Sequence, residues 1–194
     1  MKETTTITGI ILAGGKSSRM GEDKGFLILN GKTFMSYIIE ALQPIVGEII
    51  IVSNNSDYDI FKLKRVADVM KDSGPLAGLY AGLLHSETEN NIVLSCDVPL
   101  INTSVLKKLI DELNPEAEVI QFESQGKTMP LIAMYKRNCM HPILKLLQSN
   151  ERRLRFAIEQ LEVKTIQLDS ELGETVRNIN TVRELKELKH EFEN

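Results

Sequence analysis

The stretch Ile7 to Lys24, ITGIILAGGKSSRMGEDK, limits what this chain can fold into more than any other. Ile10-Ile11-Leu12 suits a strand buried on both faces of a parallel sheet, and Ala13-Gly14-Gly15 ends it with residues that have almost no side chain. Backbone can approach a ligand closely there. Glycines tolerate positive φ, so successive amides can turn inward as a nest for anionic oxygens, while Lys16, Arg19 and Lys24 add positive charge. This is the outline of a phosphate site. Two common phosphate loops are excluded. A Walker A loop requires a further glycine where this chain has Ile10, inside the strand. The dinucleotide fingerprint G-x-G-x-x-G is absent, because Gly14 and Gly15 are adjacent and the next glycine is Gly21.

The remaining pattern, LAGGKSSRMGEDKG, resembles the signature of nucleotidyltransferases that activate pterin or sugar phosphates, and most closely the molybdenum cofactor guanylyltransferase (molybdopterin-guanine dinucleotide synthase) family. Cytidylyltransferases acting on the same pterin typically read L-A-A-G where this chain has Leu12-Ala13-Gly14-Gly15, which leans the reading toward GTP. A plain glycine turn with solvated cations does not account for so many spaced elements together.

At 194 residues the chain is the size of one α/β domain, and the reading is a single nucleotidyltransferase domain spanning 1–194. The formal net charge of −4 argues against nucleic acid as a partner, since positive charge is concentrated near the first loop. Cys96 and Cys139 are too few for a disulfide framework, and His85, His141 and His190 form no close cluster, so zinc chemistry is not expected. MKETTTITG lacks an apolar signal core and no run approaches a membrane span, so a cytoplasmic protein without a membrane partner is expected.

Along the chain, Asn30-Gly31 reads as a turn leading to a helix with Met35, Ile38, Ile39 and Leu42 on one face. Glu48 to Ser53 is a second buried strand, and Asn54 beyond it is open to two readings, a contact to base or sugar and a turn asparagine. A weak helical segment through Tyr58, Phe61 and Leu63 precedes a short strand at residues 65–67. In the resembling family an aspartate upstream of G-P-L-A-G contacts the nucleotide; the spacing to Gly74-Pro75-Leu76-Ala77-Gly78 favours Asp68, with Asp72 second. Gly78 leaves room for a ligand or a strand. Asn91 to Ser95 is a third buried strand and runs into Cys96-Asp97-Val98-Pro99. A carboxylate just beyond an apolar strand is well placed to hold Mg²⁺ between triphosphate oxygens, and C-D-x-P resembles the family's metal-binding turn.

The second half carries weaker signals. Asn102-Thr103 caps a helix, a strand at 118–123 meets a turn at Ser124-Gln125-Gly126, and Leu131 to Tyr135 returns as a strand, making the sheet mixed. Helices are expected at 142–148 and 153–161, a strand at 163–168, a polar loop through Gly173 and a charged helix at 182–192. Arg152, Arg153 and Arg155 are candidates for an acceptor phosphate. The family's terminal N-x-N-T-P resembles Asn178-Ile179-Asn180-Thr181-Val182, where Val182 replaces proline and weakens the helix start.

The expected fold is a three-layer α/β/α, Rossmann-like, mostly parallel sheet, and the resemblance implies the nucleotide-diphospho-sugar transferase type. It also implies transfer of GMP from GTP to molybdopterin or its molybdenum-bound form, with other proteins of molybdenum cofactor biosynthesis as candidate partners. Arg19, Lys24 and Asp97 are the expected catalytic residues. Leu12, Ala13, Gly14, Gly15, Lys24, Asp68 and Asp97 are expected at the nucleotide, with Asp97 on the metal, and the backbone amides of residues 13–15 on phosphate. Lys16 is the cation expected to be merely exposed. The alternatives are a CTP-dependent or sugar-phosphate nucleotidyltransferase, and a nucleotide-binding adaptor without turnover.

Overall fold

The computed structural model describes residues 7–14, 23–68, 70 and 74–193. Strand β1 (Ile7–Leu12) is central to a seven-stranded sheet. Its side chains alternate between two apolar layers, Ile7 and Ile11 on one face and Ile10 and Leu12 on the other. Both faces are covered, so the run Ile10-Ile11-Leu12 is apolar without alternation. Each such fully buried aliphatic side chain contributes roughly 1.5–3 kcal/mol relative to exposure.

A short hairpin follows, β2 (Ile28–Leu29) and β3 (Lys32–Thr33), turning at Asn30-Gly31. Helix α1 (Phe34–Leu42) starts at Thr33, whose hydroxyl accepts the Ser36 N–H. Strands β4 (Glu48–Val52) and β5 (Lys64–Val66) flank a 3-10 helix over Ser56–Phe61. Then come α2 (Gly74–His85), β6 (Asn90–Ser95) and α3 (Thr103–Asp111), the last capped by Asn102 on the Val105 N–H. The second half supplies β7 (Val119–Ser124), β8 (Lys127–Lys136), α4 (Met140–Gln148), α5 (Leu154–Ile158), β9 (Val163–Gln167), α6 (Ser170–Thr175) and α7 (Val182–Glu193).

The sheet order is β5-β4-β1-β6-β8-β7-β9, and β8 runs against both neighbours while the other pairings are parallel. The chain leaves β1 toward β4 and β5, then returns to the other side of β1 as β6. That reversal puts a crevice beyond the carboxyl ends of β1 and β6, where ligands of open α/β sheets bind. One helical layer packs α1 and α3 on the sheet and the other packs α2, α4 and α5. Helix α2 comes close at Gly82, where a Cβ would lie 2.5 Å from Cγ2 of Ile10, a branched side chain fixed in the central strand. Gly78 lies at ordinary contact distance from Leu12 and Val52, so it faces strands rather than a ligand. A third cluster joins Leu27, Leu29 and Phe34 to Ile179, Leu185 and Leu188, pinning α7 and its preceding loop to the hairpin.

The structure departs from the sequence reading at four places. The segment around Tyr58 is a 3-10 helix ending at Phe61, closed by Lys62 at a φ of 54°. The strand expected from Leu131 starts at Lys127, and its pairing with β7 slips between Gln121 and Phe122. Pro130 sits in that bulge, where a missing N–H costs no ladder bond. Helix α5 is shorter than expected, because turns from Gln160 to Ala157 and Leu161 to Ile158 close it before β9. Residues 170–175 form a helix instead of a loop. Asp169 caps it on the Leu172 N–H, and Gly173, poor for helix propensity, packs so closely on Ser124 that a Cβ there would displace the Ser124 hydroxyl.

Candidate active site

Beyond β6, the turn Cys96-Asp97-Val98-Pro99 is tied to the end of β1 by the Cys96 N–H, which donates to the Leu12 carbonyl at 3.1 Å. The Leu12 carbonyl thus ties the end of β1 to the turn after β6. Asp97 is 13% exposed at its side chain and surrounded by donors. Its Oδ1 accepts from Ser95 Oγ at 2.6 Å and Asn178 Nδ2 at 3.1 Å, and its Oδ2 from Lys24 Nζ at 2.9 Å. Lys24 Nζ also donates to Asn180 Oδ1 at 2.5 Å. Three parts of the chain, residues 24, 95–97 and 178–180, therefore meet in one charged cluster.

Each part is held by the fold around it. The Ile179 N–H donates to the Asp97 carbonyl at 2.8 Å, so the asparagine loop runs alongside the aspartate turn. Thr181 and Glu184 form a capping box at the start of α7. The Glu184 N–H reaches Thr181 Oγ1 at 3.2 Å, while Glu184 Oε2 accepts the N–H groups of Thr181 at 2.8 Å and Asn180 at 2.6 Å. The Asn180 and Thr181 amides, together with nearby Lys24, hold the Glu184 carboxyl below its ordinary value of 4.5. This box replaces the proline that Val182 lacks as a helix-start device.

On the β1 side, Gly14 is exposed and a Cβ on it would meet open space. The Ala13 N–H donates to the Val52 carbonyl at 2.9 Å, extending the β1–β4 ladder. The expectation that the residue-13 amide holds phosphate is therefore corrected: it is already bonded, and an amide cradle starts no earlier than Gly14. Gly15, Lys16, Arg19 and Asp72 lie outside the described residues. Asp68 is half-buried, and that burial raises its carboxyl above the ordinary value of 3.8. Its N–H donates to Asn54 Oδ1 at 3.1 Å and its Oδ1 accepts the Met70 N–H at 3.1 Å. Asn54 thus ties together the segments that follow β4 and β5.

On the β6–β8 side, a cleft of 760 Å³ opens between Ser95, the β7–β8 bulge at Met129–Pro130 and the residues Arg155, Arg177 and Asn178. Of the arginines singled out from the sequence, Arg153 is paired with Glu151 at 2.5 Å and lies 5.0 Å from the Phe156 ring. That pairing, with the backbone N–H groups of Arg153 and Arg152, holds Glu151 down to about 2. Arg155 lines the cleft and makes no ion pair among the described residues.

Sequence reasoning missed Ser95, Asp23, Tyr58 and Glu184. Only Glu184 had a legible signal, the T-x-x-E spacing from Thr181. The others matter through contacts between distant strand and loop ends.

A carboxylate at the switch point paired with a lysine, with an exposed glycine just beyond the end of β1, fits an α/β protein of the nucleotidyltransferase type. The family model for the MobA-like NTP transferase domain matches residues 9–165. The chain belongs to the MobA-like NTP transferase family. It is 36% identical over 183 residues to a "probable molybdenum cofactor guanylyltransferase" of Flavobacterium johnsoniae, covering 94% of this chain and 96% of that one. It is 30% identical over 188 residues to a molybdenum cofactor guanylyltransferase of Desulfosudis oleivorans, covering 93% of each. Among solved structures it resembles molybdopterin-guanine dinucleotide biosynthesis protein A of Archaeoglobus fulgidus, with a TM-score of 0.81 at 22% identity, covering 96% of this chain and 98% of that one. That last likeness bears on the fold.

Proposed function

We propose that the chain acts as one domain that transfers GMP from GTP to the terminal phosphate of molybdopterin, free or molybdenum-bound, and releases pyrophosphate. The observation that carries this reading is the Lys24–Asp97–Asn180 cluster at the β1/β6 crevice, in a chain that aligns almost end to end with relatives bearing that activity in their names.

The chemistry needs positioning and charge neutralisation more than acid–base catalysis. An oxygen of the acceptor's phosphate monoester, already anionic at neutral pH, forms a bond to the α-phosphorus of GTP as the bond to the bridging oxygen of pyrophosphate breaks. In this reading the Gly14 backbone and Arg19 border the phosphates. Lys24 exchanges its ion pair with Asp97 for the phosphate oxygens where charge builds up during departure. Asp97, whose carboxylate already faces a cation, would hold a divalent ion, Mg²⁺ in this proposal. When bound, the ion would neutralise triphosphate charge. Asn178 and Ser95 keep the Asp97 carboxylate in one orientation.

The 760 Å³ cleft, open beside Asp97 and lined by Arg155 and Arg177, is the proposed seat of the acceptor. Asp68 is the proposed acceptor for the guanine donors. Among the described residues no helix is long and apolar enough to cross a membrane, and a cytoplasmic site of action with other cofactor-biosynthesis proteins as partners goes with this reading.

A pyrophosphate-release assay with acceptor, run with GTP and CTP and paired with calorimetry of both nucleotides, tests the proposal. GTP is expected to be preferred, by up to about 10⁴-fold where base donors meet buried acceptors, with Asp68→Ala relaxing the preference. Turnover with CTP equal to or faster than with GTP would overturn guanylyl transfer.

A further inference from the structure

The residue before the proposed catalytic lysine is gripped from outside its own segment. Asp23 Oδ1 accepts from the Gly25 N–H at 3.1 Å and from the Tyr58 hydroxyl, and its Oδ2 accepts from Asn55 Nδ2 at 3.3 Å. Both Asn55 and Tyr58 belong to the 3-10 segment beyond β4, where Asn55 is the cap and Tyr58 is fully buried. The Tyr58 ring packs on Phe26, centroids 4.7 Å apart, and on Phe61 at 6.2 Å. Its edge lies so near the chain that a Cβ on Gly25 would overlap the hydroxyl. The hydroxyl donates to Asp23 and also meets the backbone of Gly25, and a buried hydroxyl is costly when left unbonded.

This grip separates two adjacent opposite charges. Lys24 follows Asp23 directly, yet its ammonium reaches Asp97 and Asn180 on the far side. The Asp23 carboxylate, held by three donors, faces Tyr58 and Asn55 instead of competing for Lys24. The short turn between them, with Phe26 N–H on the Asp23 carbonyl at 3.0 Å and Leu27 N–H on the Lys24 carbonyl at 3.2 Å, transmits the anchor to the lysine backbone. Burial, with the Asp23 carboxylate adding to it, pushes the Tyr58 hydroxyl upward, so it stays a donor throughout the working pH range.

We infer that Tyr58 is a positioning residue for nucleotidyl transfer: by holding the Asp23 carboxylate it directs Lys24 to the Asp97 side of the crevice. The inference rests on the proposed role of Lys24 and extends it to a residue that touches no substrate.

The test is a double-mutant cycle on the full chain, using the pyrophosphate-release assay with GTP and acceptor. Tyr58→Phe keeps the ring in the Phe26–Phe61 stack and removes only the hydroxyl. It is expected to lower kcat about 10-fold while moving KM for GTP less than about twofold, the signature of a group that acts in the transition state. In a Lys24→Ala background the same substitution is expected to change kcat by less than about twofold, since the group it positions is gone. Thermal unfolding of all four proteins establishes that each is folded at the assay temperature. A Tyr58→Phe rate within about twofold of wild type overturns the inference, as does an equal loss with and without Lys24. If Lys24→Ala alone keeps the wild-type rate, the proposed role of Lys24 fails, and the inference built on it fails with it. A Lys24→Ala collapse beside an unaffected Tyr58→Phe overturns only the inference.

Discussion

The two walls of the crevice are built on different principles. On the proposed nucleotide wall, Asp97, Lys24, Asn178 and Asn180 satisfy one another, and further bonds brace them: Ser95 Oγ on the Asp97 carboxylate, the Ile179 N–H on the Asp97 carbonyl, Glu184 of the capping box on the Asn180 N–H, and Tyr58 on Asp23 next to Lys24. On the proposed acceptor wall, Arg155 projects from the short helix α5 and the floor is the slipped β7–β8 pairing. The first wall is preorganised and polar. The second is a basic, partly apolar cleft in which Arg155 is exposed while Arg177 is half-buried and paired with Glu174 and Glu191. Charge development during phosphoryl transfer rewards fixed groups, whereas holding an anionic acceptor can be served by mobile ones.

This contrast can be broken by comparing kcat and KM across the two walls. Asp97→Asn should lose turnover by roughly hundreds- to thousands-fold with the fold retained, because the change removes charge from the most enclosed carboxylate of the cluster. Steady-state rates across a Mg²⁺ titration check this, and a variant keeping more than about a third of the wild-type rate would end the assignment. Arg155→Ala should act differently, raising KM for the acceptor about 10-fold with kcat nearly unchanged, as expected for binding that is equal in ground and transition states. A fall in kcat instead would erase the distinction between the walls.

The smallest effect sharpens the picture of how the asparagine loop is held. The Glu184 carboxyl is depressed below 4.5 in the folded protein by the Asn180 and Thr181 amides. A depressed carboxyl adds stability above its unfolded value, and that contribution disappears as pH falls through the lower folded value. Wild type should therefore lose this increment below about pH 4.5, while Glu184→Gln should lack that part of the pH dependence. Denaturant titrations of both proteins between neutral and acid pH would reveal it, and parallel curves would exclude the capping role.

The strand ends were legible because their signals are local. Apolar runs at Ile10, Ile50 and Val93 mark strands buried on both faces, and the residues just after them, Gly14 and Asp97, fall at carboxyl ends by connectivity alone. Asn178 and Asn180 were visible as a motif but not as partners of Asp97 and Lys24, since no local pattern says which loop will lie beside which. Helix α6 was hidden by Gly173, whose low helix propensity is outweighed by close packing on Ser124.

The linear order of residues by itself determined the mostly parallel sheet and the crevice at its switch point, because hydrophobic period acts over a few residues. Tertiary structure alone decided that the Ala13 amide is already bonded to Val52, that the hydroxyl of Tyr58 anchors Asp23, and that Lys24 turns to Asp97 rather than to its own neighbour. These are choices among competing hydrogen-bond and charge partners of similar strength, and only the packing of segments far apart in sequence sets which partner is within reach.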